Sequence, residues 1–71
     1  MNIQREIKSN IVREGLSMRE VVEKLAVNHK WSGSLSNFSG KLQRETLRYK
    51  EVREVADVLG YDIVWIKRKN Q

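Results

Sequence analysis

The stretch "LSMREVVEKLA", residues 16–26, decides the fold because it contains both a helix start and the face that this helix buries. Ser17 and Glu20 stand three residues apart, the spacing at which two side chains satisfy free backbone N–H groups of a first helical turn reciprocally. The apolar residues that follow keep helical spacing: Met18, Val21, Val22, Leu25 and Ala26. A helix over about 18–27 is therefore predicted.

The same spacing of apolar residues predicts three further helices, over about 3–14, 35–44 and 47–59. The last of these helices starts either at residue 47, with Thr46 as its N-cap, or two residues later. Gly15 and Gly60 stand where a left-handed residue would end the first and the last of these helices. Ser34 is the predicted N-cap of the helix at 35–44. The segment "VNHKWSG", residues 27–33, has no clean period and is interpreted as a connection.

The end of the chain differs from the helices. "YDIVWIKRK", residues 61–69, is rich in β-branched and aromatic residues, and a strand is predicted over about 61–67. A lone strand leaves its backbone N–H and C=O groups unpaired, and both sides of this one carry large apolar groups. Its own copy in a second subunit is the simplest partner. The predicted dimer interface consists of Tyr61, Ile63, Val64, Trp65 and Ile66.

Size and composition exclude several classes of protein. A chain of 71 residues forms one domain, near the size at which a single core only just outweighs chain entropy. It has no cysteine, and its one histidine, His29, cannot build a metal site alone. No apolar run approaches the roughly 20 residues that span a bilayer, and no signal-peptide pattern is present. We expect a soluble, cytoplasmic homodimer without metal, cofactor, membrane contact or small-molecule effector.

An enzyme is not expected from this sequence. Its glutamates, Glu54 among them, lie on predicted polar helix faces among Lys and Arg, where solvated ion pairs are the ordinary explanation. His29 falls in a predicted loop with no acid near it in the sequence. General acid–base catalysis needs a titratable group positioned in a pocket, and nothing here predicts one.

Positive charge is concentrated in one third of the chain. The formal charge is +5, and residues 30–53 carry six Lys or Arg against two carboxylates. Such a surface suits a polyanionic partner. A capped helix, a connection and a polar-faced helix form a helix-turn-helix pattern, in which the second helix enters the DNA major groove. The predicted base contacts are Ser36, Asn37, Lys41 and Arg44, and the predicted phosphate contacts are Ser17, Lys30, Ser34, Arg48 and Lys50.

Three motifs resemble the phage-repressor, or Cro/XRE-type, helix-turn-helix family. They are "GLSMREVVEKLAV", "SLSNFSGKL" at the place of the recognition helix, and "EVADVLGYDI" at the place of the closing helix with its Leu-Gly ending. The resemblance covers about residues 11–63. With the predicted elements, it implies a mostly α fold: one compact four- to five-helix domain over 1–71, with a C-terminal β-strand that pairs across a homodimer.

Two features depart from that family. Met18 stands where the family usually has Gln, and the connection at 27–33 exceeds the family's turn of about four residues. The extra residues either lengthen the preceding helix or form a wing whose Lys30 and Trp31 reach the DNA backbone. Trp31 is otherwise expected at the edge of the core.

The leading interpretation is a sequence-specific transcriptional regulator that binds double-stranded DNA as a homodimer on a palindromic operator. The resemblance implies a repressor from a phage or mobile element. A second interpretation is an antitoxin-like or inhibitor module that pairs its C-terminal strand with a foreign chain. A third is RNA binding without sequence reading, although the stacking aromatics on a sheet that this commonly uses are absent.

Overall fold

Four helices account for the core of the molecule. The computed structural model describes residues 2–69, with helices in the order α1 (Ile3–Arg13), α2 (Met18–His29), α3 (Leu35–Arg44) and α4 (Tyr49–Leu59). Helix α2 packs against both α3 and α4, and α1 packs against α3. The buried side chains in these residues are all apolar: Ile7, Ile11, Val21, Val22, Leu25, Phe38, Leu42, Val55 and Leu59. A mostly helical four-helix domain is thus confirmed.

The predicted helix ends are confirmed by their hydrogen bonds. Ser17 Oγ accepts from the Glu20 backbone N–H at 3.1 Å, and Glu20 Oε1 accepts from the Ser17 N–H at 2.8 Å. That Ser17 N–H holds the pKa of the Glu20 carboxyl below its ordinary value. Ser34 Oγ accepts from the Asn37 N–H at 3.2 Å and so caps α3. Gly60 is left-handed, with φ 86°, and ends α4.

Helix α2 is longer than predicted. It continues beyond residue 27 to His29, and the connection to α3 is reduced to residues 30–34. Lys30 takes a left-handed conformation with φ 61°, and the Trp31 N–H returns to the Leu25 carbonyl at 3.3 Å. The extra residues therefore lengthen the helix, and the alternative of a projecting wing is wrong. His29 belongs to α2, although the sequence pattern assigned it to a loop.

Helix α4 begins at Tyr49, the later of the two starts that the sequence left open, and not at residue 47. The Thr46 N–H donates to the Lys41 carbonyl at 3.0 Å, so Thr46 closes α3 and is not available to start the next helix. The start lies at Tyr49, where Glu51 Oε1 accepts from the Arg48 N–H at 2.9 Å. A carboxylate in the first turn also interacts favourably with the helix dipole.

The predicted strand at 61–67 is not formed within one chain. In the part of the protein that the structure describes there is no strand, and residues 61–68 have no regular secondary structure. A strand needs a neighbour that pairs with its N–H and C=O groups, and a single chain offers this segment none. Pairing with a second subunit is therefore not part of the fold itself, and it is taken up below as a proposal.

Candidate nucleic-acid interface

An open groove lies between α3 and the start of α4 and encloses about 300 Å³. It brings together four of the residues predicted to contact DNA, namely Asn37, Lys41, Arg48 and Lys50. The other residues that line it are Trp31, Ser32, Glu51 and Glu54. Because α3 and α4 are joined by only residues 45–48, the polar side of α3 and the first turn of α4 meet at this groove.

Lys41 is held in the wall of the groove. Its Nζ donates to Glu51 Oε2 at 2.7 Å and lies 5.4 Å from the centre of the Trp31 ring. The other oxygen of Glu51 accepts from the Arg48 N–H, so one carboxylate both caps α4 and pairs with Lys41. The Arg48 N–H first, and then Lys41, hold the pKa of the Glu51 carboxyl below its ordinary value.

Three acids on one side of α4 contact α3, the end of α2 and the connection between these two helices. Glu51, Glu54 and Asp57 are spaced three apart and therefore share one side of the helix. The Trp31 indole N–H donates to Glu54 Oε1 at 2.8 Å. His29 Nε2 lies 2.9 Å from Asp57 Oδ2, and its Nδ1 lies 3.7 Å from Glu54 Oε2. Each contact joins α4 to the end of α2 or the connection.

Trp31 lies at the edge of the core and does not project toward solvent. It is half-buried, and its ring meets Phe38 edge-on with centroids 6.0 Å apart. Its other contacts, to Glu54 and Lys41, leave it in the wall of the groove. Of the two alternatives for this side chain, the core-edge position is the one that the structure shows.

The outward side of α3 presents the remaining predicted base contacts. Ser36, Asn37 and Arg44 are exposed. The guanidinium of Arg44 lies back over Gly40: a methyl group added at position 40 would stand 3.0 Å from one of its terminal nitrogens. A glycine in the middle of a helix costs roughly 1 kcal/mol relative to alanine. Here its missing side chain makes room for Arg44.

Three predicted phosphate contacts lie outside the groove. Ser17 and Ser34 are exposed N-caps of α2 and α3, and their hydroxyl oxygens already accept backbone N–H groups. Lys30 is exposed at the end of α2. Lys30 and Ser34 belong to the connection that precedes α3, whereas Ser17 stands at the far end of α2, and Arg48 and Lys50 stand at the start of α4.

Most of the positive charge in this region has no acidic partner. Within residues 2–69, Lys41 is the single Lys or Arg whose side chain lies within 4.0 Å of a carboxylate oxygen. Arg44, Arg48 and Lys50 are exposed and make no such pair in that part of the chain. Polyanions attract unpaired surface cations of this kind, and their binding releases condensed counterions.

The predicted dimer residues divide into two groups. Tyr61 is half-buried against its own core, and its hydroxyl donates to Glu14 Oε2 at 2.8 Å. This hydrogen bond raises the pKa of Tyr61 above its ordinary value. The other four residues are exposed to different degrees: Ile63 38 %, Val64 68 %, Trp65 90 % and Ile66 84 %.

Sequence reasoning missed the acids that organise the groove. Glu54 was expected to be solvated, yet its side chain is 19 % exposed and accepts the Trp31 N–H. The available signal was the spacing of Glu51, Glu54 and Asp57, which places three acids on one side of a helix. Their partners precede them by 10 to 28 residues, so no local pattern linked the two sets.

The described residues contain no cluster of three or more His, Cys, Asp or Glu suited to a metal ion. None of the helices within residues 2–69 is both long and apolar enough to cross a membrane. Comparison of the chain with protein-family models, curated proteins and solved structures finds no match.

Proposed function

We propose that this protein binds double-stranded DNA through α3 and the first turn of α4, as a helix-turn-helix transcriptional regulator that represses from a palindromic operator. The observation that carries this proposal is the groove that exposed Asn37 lines together with Arg48 and Lys50, two cations that have no acidic partner among residues 2–69. An α-helix fits the major groove of B-DNA, and α3 presents an exposed polar side.

In this proposal, Asn37 and Arg44 make the main contacts with the DNA bases. An Asn amide can pair bidentately with adenine, and an Arg guanidinium with guanine. Ser36 lies on the same exposed part of α3 and adds a hydroxyl. To contact a base, Lys41 would have to leave Glu51, whose Oε2 lies 2.7 Å from the lysine Nζ. The main role of Lys41 in this proposal is therefore to support the wall of the groove.

Phosphate contacts fall to the cations that flank α3. Arg48 and Lys50 stand on one side, and Lys30 stands at the end of α2 on the other. Phosphate contacts fix the register of a protein on the duplex but carry no sequence information directly. Ser17 and Ser34 can add only the donor capacity of their hydroxyls, because their oxygens already cap helices.

A second copy of the chain is the proposed partner of the exposed apolar segment, residues 63–66. Four consecutive apolar residues in water favour association, and an antiparallel pair would also satisfy their backbone groups. A twofold axis through this pair could set two α3 helices about 34 Å apart, the spacing of successive major grooves on one side of DNA.

The experiment that tests this function is selection of bound sequences from random duplex DNA, followed by Asn37→Ala and Arg44→Ala. Each variant should lose about 1–3 kcal/mol of specific binding and relax the preference at one position. Ser39→Ala is the matched control, since Ser39 is also exposed on α3 but points about 160° away from Asn37 at 100° per residue. If both test variants bind operator and random DNA as the parent does, α3 does not read the sequence.

A second candidate function follows from the exposed segment at 63–66. An antitoxin-like or inhibitor protein would add this segment as a strand to a foreign sheet. Light scattering and duplex titration distinguish the two functions. A dimer that binds duplex DNA supports the regulator, whereas a monomer without DNA affinity supports the interaction module.

A further inference from the structure

We propose that the basic run Lys67–Arg68–Lys69 is a second DNA-contacting element. It lies near the start of α4 and contacts phosphates of the duplex. This inference rests on the proposed function, because it extends the same DNA-facing surface. Sequence patterns assigned no role to these three residues. The path that the chain takes after α4 is the basis for the role proposed for them.

The segment after α4 runs back along that helix. Gly60, with φ 86°, reverses the chain, and the Tyr61 N–H donates to the Ala56 carbonyl at 2.8 Å. Residues 61–63 then line a pocket with Val52 and Val55 on α4. Farther along, the Trp65 indole N–H reaches the hydroxyl of Tyr49, the first residue of α4, at 3.4 Å.

The lengths agree with this path. Helix α4 has 11 residues and is therefore about 16 Å long at 1.5 Å per residue. The five steps from Gly60 to Trp65 span about 16–18 Å if the chain is extended. The contact with Tyr49 joins the ends of two long side chains, so this reach is sufficient. Lys67 follows Trp65 by two residues and therefore lies within about 7 Å of it along the backbone.

That end of the molecule already contains two of the proposed phosphate contacts. Lys50 lines both the groove with Asn37 and a neighbouring groove with Tyr49, the residue that Trp65 touches. Residues 67–69 are exposed, and their cations make no ion pair in the described part of the chain. In this proposal Arg48, Lys50, Lys67, Arg68 and Lys69, none of which makes an ion pair within residues 2–69, form one cationic surface at the start of α4. A continuous row of phosphates matches this arrangement.

The test compares two triple variants that remove equal charge. In the first, Lys67→Gln, Arg68→Gln and Lys69→Gln neutralise the basic run and leave the apolar segment at 63–66 intact. In the control, Arg5→Gln, Lys8→Gln and Lys24→Gln neutralise three exposed cations of α1 and α2. Binding to a duplex of random sequence is measured between 50 and 200 mM salt, and sedimentation verifies that both variants associate as the parent does.

The first variant should make the slope of log affinity against log salt shallower by about two to three, because each lost phosphate contact removes about 0.9. The control should keep the parent slope. An unchanged slope in the first variant overturns the proposal, and so does an equal change in both, which would reflect net charge alone. Absence of duplex binding by the parent would instead refute the proposed function itself.

An anionic lipid surface is the competing partner for an exposed apolar segment that ends in three cations. Vesicles with and without phosphatidylserine therefore form a second arm of the experiment. Binding of the parent to anionic vesicles, lost in the first variant while its duplex slope is unchanged, would overturn the DNA assignment. Duplex binding through these cations with no vesicle binding supports it.

Discussion

The two tryptophans of this protein lie in segments without regular structure, yet their surroundings differ completely. Trp31, in the connection before α3, is half-buried and donates to Glu54 at 2.8 Å. Trp65, in the segment after α4, is 90 % exposed and has a longer contact, 3.4 Å, with the Tyr49 hydroxyl. A non-helical segment is fixed when its side chains find partners on the same chain. Trp31 finds several such partners, whereas Trp65 contacts Tyr49 alone through its indole N–H in the described residues and stays exposed.

The partners of the first segment are charged and come from one helix. Glu54 and Asp57 of α4 contact His29 and Trp31, so the end of α2 and the connection are fixed at several points. Charge-assisted hydrogen bonds of this kind are stronger than neutral ones. The second segment instead has Tyr61 anchored to Glu14 at its start, after which its apolar side chains are exposed, least at Ile63 and most at Trp65.

The largest effect that follows from this comparison concerns association. Changing Trp65 and Ile66 together to Ser removes the two most exposed side chains of the segment and should yield monomers. Operator binding should then fall by about 10²- to 10⁴-fold, because two linked half-sites no longer bind together. Sedimentation and operator titration measure the two effects.

The matched control for this experiment is Val12→Ser with Val27→Ser. These valines are 76 % and 82 % exposed but belong to α1 and α2. Their loss should leave association unchanged. A parent chain that remains a monomer at tens of micromolar would contradict the proposed dimer. If both double variants weaken association equally, the dimer contact cannot be assigned to residues 65 and 66.

The next effect concerns the stability of the chain itself. Trp31→Ala removes the edge contact with Phe38 and leaves Glu54 without its indole donor. The free energy of unfolding should fall by about 2–4 kcal/mol. Trp65→Ala should change it by less than about 0.5 kcal/mol when the chain is dilute enough to be monomeric. Urea unfolding followed by circular dichroism gives both values, and equal losses would show that the two environments do not differ as described.

A smaller, pH-dependent effect is expected at the groove wall. The pKa of Glu51 is lowered in the folded chain by the Arg48 N–H and by Lys41. Its contribution to stability is therefore present above the unfolded value of about 4.3 and is lost as the pH falls through the folded value. Glu51→Gln should cost about 1 kcal/mol at neutral pH and flatten the loss of stability in acid.

Urea unfolding at pH 7 and at about pH 3 tests this contribution of Glu51. Glu23→Gln is the control, because Glu23 is an exposed carboxylate in the middle of α2. The Glu23→Gln variant should lose as much free energy of unfolding between pH 7 and about pH 3 as the parent does. The explanation fails if both variants keep the parent profile, since the contacts of Glu51 would then add nothing to stability.

The smallest effect concerns two left-handed residues that are not glycine. Lys30, with φ 61°, ends α2, and Glu45, with φ 54°, ends α3. Replacing either by Gly should stabilise the chain by about 0.5–1 kcal/mol, since glycine adopts this conformation without steric cost. Thermal unfolding measures both changes.

DNA binding should separate these two variants. Lys30→Gly should weaken binding to all sequences and make the salt slope shallower by about one, whereas Glu45→Gly should leave the slope unchanged. Because Glu45→Gly removes a negative charge and Lys30→Gly a positive one, each slope is compared with that of the parent, and a shallower slope in Lys30→Gly alone reports a phosphate contact of residue 30. Identical slopes would remove Lys30 from the phosphate contacts.

Sequence reasoning located the helices well because their signals are local. Ser17, Ser34, Gly15 and Gly60 act within four residues of their own positions, and each occupies the cap predicted for it. The sequence left two starts open for α4, and the structure selects the later one because Thr46 closes α3. The DNA contacts themselves stay predictions, of which four residues share one groove.

The sequence by itself determined where the helices lie, which faces they bury, and where positive charge is concentrated, since helical period, caps and charge can all be read along the chain. Only the tertiary structure decided that Glu54 holds Trp31, that Lys41 pairs with Glu51, and that the C-terminal segment returns along α4. These contacts join residues 10 to 23 positions apart. Their geometry depends on how the helices pack, and packing brings together groups that no local pattern connects.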